Sequence, residues 1–283
     1  MQQVDRMPHL TGDLRFEFGK NWRRFLHRID LSRMEAARLS LSERLKMTNL
    51  EGLSFVDIGC GSGLFSLAAR QLAATVLSFD LDPDSVSCTR ELKGLCLPKD
   101  DCWTIEQGSA LDIDYLRTLG TFDVVYSWAV LHHTGAMWQA LENASSMVKP
   151  GGNLFVAVYN DAGGSTRRWK WIKQVYNWSP CLLRQLLLGS YAVYYAVARL
   201  AYHALHPSLL ILQPERGMSL WTNLVDWIGG YPFEFAKPEE VFECDRKRGF
   251  TLEGLRTKPD NAWKEFVFTL GGDPENRGPP TPC

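Results

Sequence analysis

Three glycines spaced two residues apart, Gly59, Gly61 and Gly63, separate an apolar run from a segment with helical periodicity. The apolar run is Phe55 to Ile58, and apolar residues recur after the glycines every three or four positions. This pattern predicts a strand, a tight turn and a helix. Because glycine has no Cβ and readily adopts positive φ, a ligand can lie directly against the main chain of such a turn. The turn is therefore a candidate binding surface.

Two residues distinguish this turn from the glycine-rich turn that binds a dinucleotide pyrophosphate. That turn requires a glycine where this chain has Leu64. Asp57, two residues before Gly59, would repel a pyrophosphate but suits an ammonium group or bound waters. Asp80 ends the next apolar run, and a carboxylate at a neighbouring strand end can accept both hydroxyls of a ribose. The pattern favours a cationic ligand without phosphate.

These residues resemble those of a known family. Residues 56–63, Val-Asp-Ile-Gly-Cys-Gly-Ser-Gly, with Asp80 are similar to the first two motifs of class I S-adenosylmethionine-dependent methyltransferases, of the small-molecule, ubiquinone-methyltransferase-like type. The resemblance continues through residues 122–133 and 150–152. It implies S-adenosyl-L-methionine as cofactor and an α/β fold: a Rossmann-like, seven-stranded, mostly parallel sheet with helices on both faces and a terminal antiparallel pair. The alternation of strand and helix patterns also predicts a parallel α/β sheet with ligands at strand C-terminal ends.

The resemblance also implies which residues contact the cofactor. In the family, N-terminal helices often close over the cofactor, so a lysine and a tryptophan become candidates for contacting its carboxylate or for stacking. Ser109 stands where the family usually has an acidic or polar residue facing the adenine amine, and it offers only a hydroxyl. The expected cofactor-binding residues are Lys20, Trp22, Asp57, Gly59, Cys60, Gly61, Asp80, Leu81, Ser109, Ala110, Ser127 and Trp128.

Two histidines are the candidate catalytic residues. A sulfonium methyl is already activated, so orientation can supply about 7–11 kcal/mol of the barrier. A general base adds about 10²–10⁴-fold, and only if the acceptor must lose a proton. His132 and His133 follow the predicted fourth strand, and His132 is preferred because it comes directly after the apolar run. The alternative for either is a hydrogen-bonded structural histidine.

An insertion after the fifth strand differs in composition from the rest. Residues 161–216 are rich in aromatic and basic side chains, and apolar residues from Leu183 to Leu205 recur at helical spacing. We expect a helical lid beside the cleft that shapes an acceptor pocket. Ordinary packing on the sheet, a homodimer face and peripheral membrane contact are alternatives, whereas Arg184 and Arg199 argue against a membrane span. The expected acceptor-pocket residues are Leu131, Tyr159, Asn160, Trp221 and Tyr231.

The predicted organisation has five parts. They are an N-terminal helical cap (1–48), a cofactor-binding core (49–160), the helical lid (161–235), a C-terminal helix with antiparallel strands that completes the core (236–271) and a disordered tail (272–283). Ser32 with Glu35 predicts a capping box at the start of the second helix. Asp82 with Pro83 predicts the start of the helix after the second strand.

Net charge and cysteine content limit the partners and the compartment that the sequence predicts. The net charge of -1 across 283 residues does not favour a nucleic-acid partner. Seven cysteines without metal-site spacing predict reduced thiols, no metal and a cytoplasmic protein, in keeping with a start that lacks an apolar signal region. We expect a small aromatic or apolar acceptor, such as a quinone precursor or secondary metabolite. The alternatives are a catalytically silent cofactor-binding scaffold and a nicotinamide oxidoreductase, which Leu64 and Asp57 disfavour.

Overall fold

The computed structural model describes residues 16–26, 29–205, 220–257 and 263–272. Seven strands form one sheet in the order β3-β2-β1-β4-β5-β7-β6. The neighbours from β3 to β5 are parallel, and β7 runs antiparallel to both β5 and β6. This confirms the predicted seven-stranded, mostly parallel sheet. The strands are β1 Ser54–Ile58, β2 Thr75–Asp80, β3 Trp103–Gln107, β4 Phe122–Trp128, β5 Val148–Tyr159, β6 Phe250–Thr257 and β7 Trp263–Leu270.

Helices cover both faces of the sheet. Successive strand residues point to opposite faces, so Phe55 packs in one apolar cluster with α2 and α3, and Val56 packs in another with α6 and α10. The α-helices of the described residues are α1 Phe18–Leu26, α2 Leu31–Leu45, α3 Leu64–Gln71, α4 Pro83–Cys96, α5 Ile113–Leu119, α6 Met137–Ser146, α7 Gly164–Trp178, α8 Cys181–Leu205, α9 Leu220–Gly229 and α10 Pro238–Arg246. A short 3-10 helix, Leu131–His133, follows β4.

Two helix starts were predicted from caps, and one prediction was wrong. Asp82 caps α4 ahead of Pro83, as expected. Helix α2 instead begins at Leu31, because the carboxylate of Asp30 accepts the backbone N–H of Arg33 at 2.9 Å. The predicted capping residue Ser32 lies inside this helix. A carboxylate is as good a cap as a hydroxyl and adds favourable charge at the N-terminus.

The insertion between β5 and α10 contains α7, α8 and α9, which confirms a helical insertion after the fifth strand. Helix α8 packs against α7 and α9. Its segment Cys181–Ala201 is long and apolar enough to cross a membrane, and the residues that the structure describes bury none of that segment. The predicted disordered tail lies outside the described residues from position 273 onward.

The prediction of unpaired thiols holds at most described cysteines. Cys244 is disulfide-bonded, so the prediction is wrong at that position. The free thiols are those of Cys60, Cys88, Cys96, Cys102 and Cys181.

Candidate functional site

A cavity of about 1360 Å³ lies at the carboxyl ends of β1, β2 and β4. The strand order reverses between β1 and β4, and open α/β sheets bind ligands in the crevice at that point. The cavity wall includes the glycine turn, the turn after β2, the residues after β3, helix α1 and parts of the insertion. One space therefore joins the predicted cofactor side to the predicted lid.

The glycine turn requires glycine at two positions that line this cavity. Gly59 has φ of +77° and Gly61 has φ of +56°, which is the left-handed region. The N–H groups of Gly59 and Cys60 both donate to the carbonyl of Phe79, at 2.8 and 3.1 Å. A Cβ at Gly59 would lie 2.4 Å from a methyl carbon of Val130. The turn thus brings bare main chain to the cavity wall.

A chain of buried hydrogen bonds orients Asp57 at the end of β1. The indole N–H of Trp103 donates to Ser78 at 2.8 Å, and Ser78 donates to Ser66 at 2.8 Å. Ser66 in turn donates to Asp57 Oδ2 at 2.5 Å. All four residues are buried, and Asp57 lines the cavity. A carboxylate positioned in this way can attract a cationic ligand.

The carboxylate of Asp80, at the end of β2, is fixed by main-chain donors. Its Oδ2 accepts from the N–H of Gly61 at 3.0 Å, and its Oδ1 accepts from the N–H of Asp82 at 2.9 Å. Burial raises the pKa of Asp80 to about 6, while these backbone hydrogen bonds oppose the rise. At pH 7 the group is mostly ionised and can accept hydrogen bonds from ligand hydroxyls.

Helix α1 lies over the glycine turn. The N–H of Gly19 donates to Asp82 Oδ2 at 2.8 Å, and Arg23 pairs with Asp84 at 2.6 Å. A Cβ on Gly61 would lie 3.0 Å from the indole ring of Trp22. Lys20 also lines the cavity and pairs with Glu17 at 2.6 Å on the exposed side of the helix. The N-terminal helix therefore supplies part of the wall around the predicted cofactor position.

The insertion contributes a half-buried carboxylate, Asp226, and a buried ammonium group, Lys173. Asp226 of α9 lines the cavity and accepts from the side-chain amide of Asn21 at 2.6 Å. Burial raises the pKa of Asp226 to about 7. Lys173 of α7 is buried. Its Nζ donates to the backbone carbonyl of Trp227 and lies 4.7 Å from the centroid of the Trp227 indole ring. Burial lowers the pKa of Lys173 to about 7.

The two candidate histidines occupy different environments. His133 lines the cavity, and its Nδ1 lies 2.6 Å from the carbonyl oxygen of Pro232. Since a carbonyl only accepts, Nδ1 carries the hydrogen, and Nε2 is an acceptor in the neutral ring. His132 is fully buried, 4.1 Å from the Tyr159 ring, and does not line the cavity. Burial holds the pKa of His132 well below its usual range.

The structure brings most of the expected residues to one cavity. Those that line it are Lys20, Trp22, Asp57, Gly59, Cys60, Gly61, Asp80, Leu81, Ser109, Ala110, Trp128, His133 and Tyr159. Their contacts with a cofactor or an acceptor stay predictions.

The other expected residues lie outside the wall. Ser127 is buried and donates to the carbonyl of Ile58 at 3.2 Å, and Leu131 is in the core. Asn160 forms an isolated bridge with Ala236, and Trp221 is exposed on α9. The hydroxyl of Tyr231 accepts from Gln174 at 3.2 Å. These positions are set by turns and by packing between elements, which the apolar pattern alone does not specify.

Three residues close to the predicted acceptor side were not among the expected site residues: Asn21, Lys173 and Asp226. None belongs to a short motif. Asp226 was noticeable only as an acid within an aromatic-rich stretch before the Gly229-Gly230 pair. Asn21 stands between Lys20 and Trp22, which were both expected to contact the cofactor. Helical periodicity does not show that the Asn21 side chain contacts Asp226 instead.

Comparison with known proteins identifies the core of the chain. Residues 56–154 match the family model described as Methyltransferase domain, and these residues run from the glycine turn into β5. The chain contains a methyltransferase domain. Asp57 and the glycine turn lie inside the matched region, whereas α1 and the insertion lie outside it.

The methyltransferase domain has curated relatives of moderate similarity. It is 34% identical to the ubiquinone biosynthesis O-methyltransferase of Brucella ovis over 119 residues, which are 39% of this chain and 43% of that protein. It is 32% identical to the protein of the same name from Parvibaculum lavamentivorans over 118 residues, 39% of this chain and 42% of that protein. The similarity thus covers less than half of the length of these relatives.

Solved structures share the fold of the methyltransferase domain over a longer stretch. Magnesium protoporphyrin IX methyltransferase from Synechocystis PCC 6803, with bound SAH, has a TM-score of 0.54 at 15% identity, over 89% of this chain and 94% of that one. PKMT2 from Rickettsia typhi in complex with AdoHcy has a TM-score of 0.56 at 15% identity, over 84% of this chain and 53% of that one. At this identity the likeness concerns the fold.

Proposed function

We propose that this chain transfers a methyl group from S-adenosyl-L-methionine to a hydroxyl of a small aromatic or apolar acceptor. The observation that carries the proposal is the single cavity in which Asp57 and Asp80 of the methyltransferase domain share space with Asp226 of the insertion. Cofactor and acceptor must meet with their reacting atoms in line, because orientation can supply about 7–11 kcal/mol of the barrier. A continuous cavity permits that meeting.

The residues of the turn fit the cofactor. S-adenosylmethionine supplies a positively charged sulfonium whose methyl carbon is already activated for displacement. In the proposal Asp80 accepts from the ribose hydroxyls, the bare main chain at Gly59 and Gly61 lies against the amino-acid part, and Asp57 attracts its ammonium group. The left-handed φ of both glycines supports this role.

The same residues disfavour a nicotinamide cofactor. Asp57 lies at the strand end where a pyrophosphate would have to approach, and like charges there are unfavourable. Leu64 is buried in the first turn of α3, at the position where a dinucleotide turn requires glycine. Neither residue obstructs a ligand without phosphate.

An aromatic or apolar acceptor agrees with the remaining wall of the cavity. The curated relatives are named ubiquinone biosynthesis O-methyltransferases, which supports a hydroxyl as the methylated group. A homodimer interface or a membrane contact would involve the outer surface of the insertion. Neither alternative therefore affects the transfer chemistry. The aromatic residues that line the cavity beyond the turn include Tyr126, Trp128, Tyr159, Tyr176, Trp227 and Trp263.

Asp226 is the proposed acceptor of the proton from the substrate hydroxyl. It lines the cavity, and a base with pKa near the working pH is the most effective proton acceptor. Burial raises its pKa to about 7, while the hydrogen bond from Asn21 and the charge of Lys173 act in the opposite direction. His132 does not reach the cavity, so this proposal replaces it as the base.

The test is methyl transfer from isotopically labelled S-adenosylmethionine to a panel of acceptors. We expect turnover with hydroxylated aromatic compounds that resemble quinone precursors, and none with a sugar phosphate of similar size. Calorimetry with S-adenosylmethionine and with NADH runs alongside. Cofactor binding without turnover on any member of the panel would favour the silent scaffold, and binding of NADH alone would overturn the proposal.

A further inference from the structure

The outward face of α8 is apolar, and no part of the chain that the structure describes covers it. Five residues spaced by four, seven, four and three positions form one stripe along this helix. Each of the five is between 62% and 73% exposed. On a helix at the surface of a domain this face normally carries charged and polar side chains. The stripe consists of Leu182, Leu186, Val193, Val197 and Leu200.

The charged residues of α8 lie on the other side of the helix. Arg184 and Arg199 are rotated away from the stripe, and the guanidinium of Arg184 donates to the carbonyl of Ser179 at 2.7 Å. The same inner side packs on the protein, since the rings of Tyr191 and Trp169 are 5.3 Å apart. The usual arrangement of a surface helix is therefore inverted, with charge inside and apolar side chains outside. A helix attached along one side in this way is suited to lie on an apolar medium and not to cross it.

Helix α7 has a second outward face with exposed apolar side chains. Trp171 and Trp178 are seven positions apart and are both 64% exposed. Arg167 and Arg168 are exposed on the same side of the helix. Tryptophan and arginine together are enriched where proteins meet the headgroup region of a membrane, because one end of each side chain is apolar and the other polar.

The charge of this part of the chain determines which partner fits. Residues 162–205 contain six basic residues and no Asp or Glu. A second copy of the chain would bring the same positive charge to the contact, which is unfavourable. An anionic lipid surface has the complementary charge and can accommodate an apolar stripe without a shaped pocket. The basic residues are Arg167, Arg168, Lys170, Lys173, Arg184 and Arg199.

We propose that the two outward faces form a docking face for an anionic lipid bilayer, with the α8 stripe in the acyl boundary and the tryptophans and arginines of α7 among the headgroups. The docking face comprises Trp171 and Trp178, the stripe, and Arg167 with Arg168. It does not depend on the proposed transfer reaction, because neither the stripe nor these four residues of α7 line the cavity.

Vesicle binding of the 283-residue chain without cofactor tests the proposal. The vesicles are phosphatidylcholine alone or phosphatidylcholine mixed with phosphatidylglycerol, and partition is measured by co-sedimentation. We expect clear binding to the mixed vesicles and much weaker binding to phosphatidylcholine. Leu186→Glu with Val197→Glu should weaken binding roughly 100-fold, because two apolar side chains are lost from the buried stripe. Arg167→Gln with Arg168→Gln should weaken binding to the mixed vesicles about 10-fold and leave phosphatidylcholine binding unchanged.

Matched substitutions elsewhere on the surface control for these variants. Leu95 of α4 is 72% exposed and lies outside the insertion, so Leu95→Glu should bind vesicles as the wild type does. Lys99→Gln, also exposed, controls for the loss of positive charge. Thermal unfolding and circular dichroism confirm that each variant is folded.

Three results would overturn the lipid assignment. The first is a wild-type chain that remains in the supernatant with both kinds of vesicle. The second is binding that the Leu186 and Val197 substitutions leave unchanged. The third is a concentration-dependent dimer in analytical ultracentrifugation that these substitutions dissociate, without vesicle binding by either form, which would identify a second copy as the occupant. These outcomes concern lipid binding only. They are therefore distinguishable from failure of the cofactor-binding and turnover experiments that test the proposed function.

Discussion

The side-chain amide of Asn21 donates a 2.6 Å hydrogen bond to Asp226, joining α1 to α9 across 205 residues of sequence. Both residues line the cavity, so the bond connects the wall formed by the N-terminal helix to the wall formed by the insertion. It also stabilises the ionised carboxylate, because a donor bonded to the charged form favours that form. One contact therefore influences both the shape of the proposed acceptor pocket and the protonation of its carboxylate.

Asp226→Asn should lower the single-turnover rate by about 10²-fold or more while cofactor affinity stays within a few-fold, because a general base contributes about that much. With the pKa of Asp226 near 7, the wild-type rate should rise as pH increases through about 7. The variant should lose this inflection, since its amide does not titrate. If Asp226→Asn keeps the inflection, the group that titrates belongs to the acceptor or to another residue.

Asn21→Ala should move that inflection to higher pH. The hydrogen bond from Asn21 lowers the pKa of Asp226, so its loss should raise that pKa by about one unit. The rate at pH 7 should fall and recover at higher pH. Asn49→Ala, at an exposed asparagine outside the cavity, is the control and should leave the pH profile unchanged. An equal fall in rate at every pH would indicate a purely structural effect.

His132→Ala and His133→Ala should differ in stability more than in pH dependence. His132 is fully buried, so its truncation leaves a cavity and should lower the free energy of unfolding by about 2–5 kcal/mol. We expect its rate–pH profile to keep the shape of the wild type. His133 is only partly buried, so its truncation should cost less stability. Urea unfolding and single-turnover kinetics on both variants distinguish these effects. A rate loss of about 10²-fold in a fully folded His132→Ala enzyme would restore His132 as the base.

Asp80→Ala should weaken binding of S-adenosylmethionine by about 10- to 100-fold, since a hydrogen bond to a charged group contributes about 1.5–3 kcal/mol. With a folded-state pKa of about 6, wild-type affinity should decline as pH falls below about 6, because protonation removes acceptor capacity. Asp80→Asn should lack that decline. Asp101→Ala, at an exposed carboxylate, is the control. Unchanged affinity in Asp80→Ala by calorimetry would remove Asp80 from the site.

Gly59→Ala should destabilise the protein more than Gly52→Ala, although the two glycines have nearly the same φ, +77° and +76°. The left-handed backbone costs each variant about 1–2 kcal/mol. A Cβ at Gly52 meets nothing within 4 Å, whereas one at Gly59 lies 2.4 Å from Val130. The clash should add about 1–3 kcal/mol and reduce cofactor affinity. Urea unfolding measures the difference. Val130→Ala should recover part of the loss in a double variant, and equal costs for the two single variants would contradict the clash.

The amino-acid sequence by itself determined the strand–turn–helix unit, the order of elements and the two carboxylates at adjacent strand ends. These features depend on local causes: an apolar run of strand length, glycines that permit positive φ, and Asp82 with Pro83 at a helix start. Parallel strands align their carboxyl ends, so Asp57 and Asp80 reach one edge of the sheet once β1 and β2 pair. The proposed cofactor side was therefore predictable from short stretches.

Only the tertiary structure decided which residues complete the proposed acceptor side. His132 and His133 are neighbours in sequence, but in a 3-10 helix consecutive side chains point about 120° apart. One therefore faces the core and the other the cavity, and the apolar run before them does not show which. Asn21 and Asp226 meet because α1 and α9 pack across the same opening. Such contacts depend on how whole helices are placed by their buried faces, which no local pattern of residues specifies.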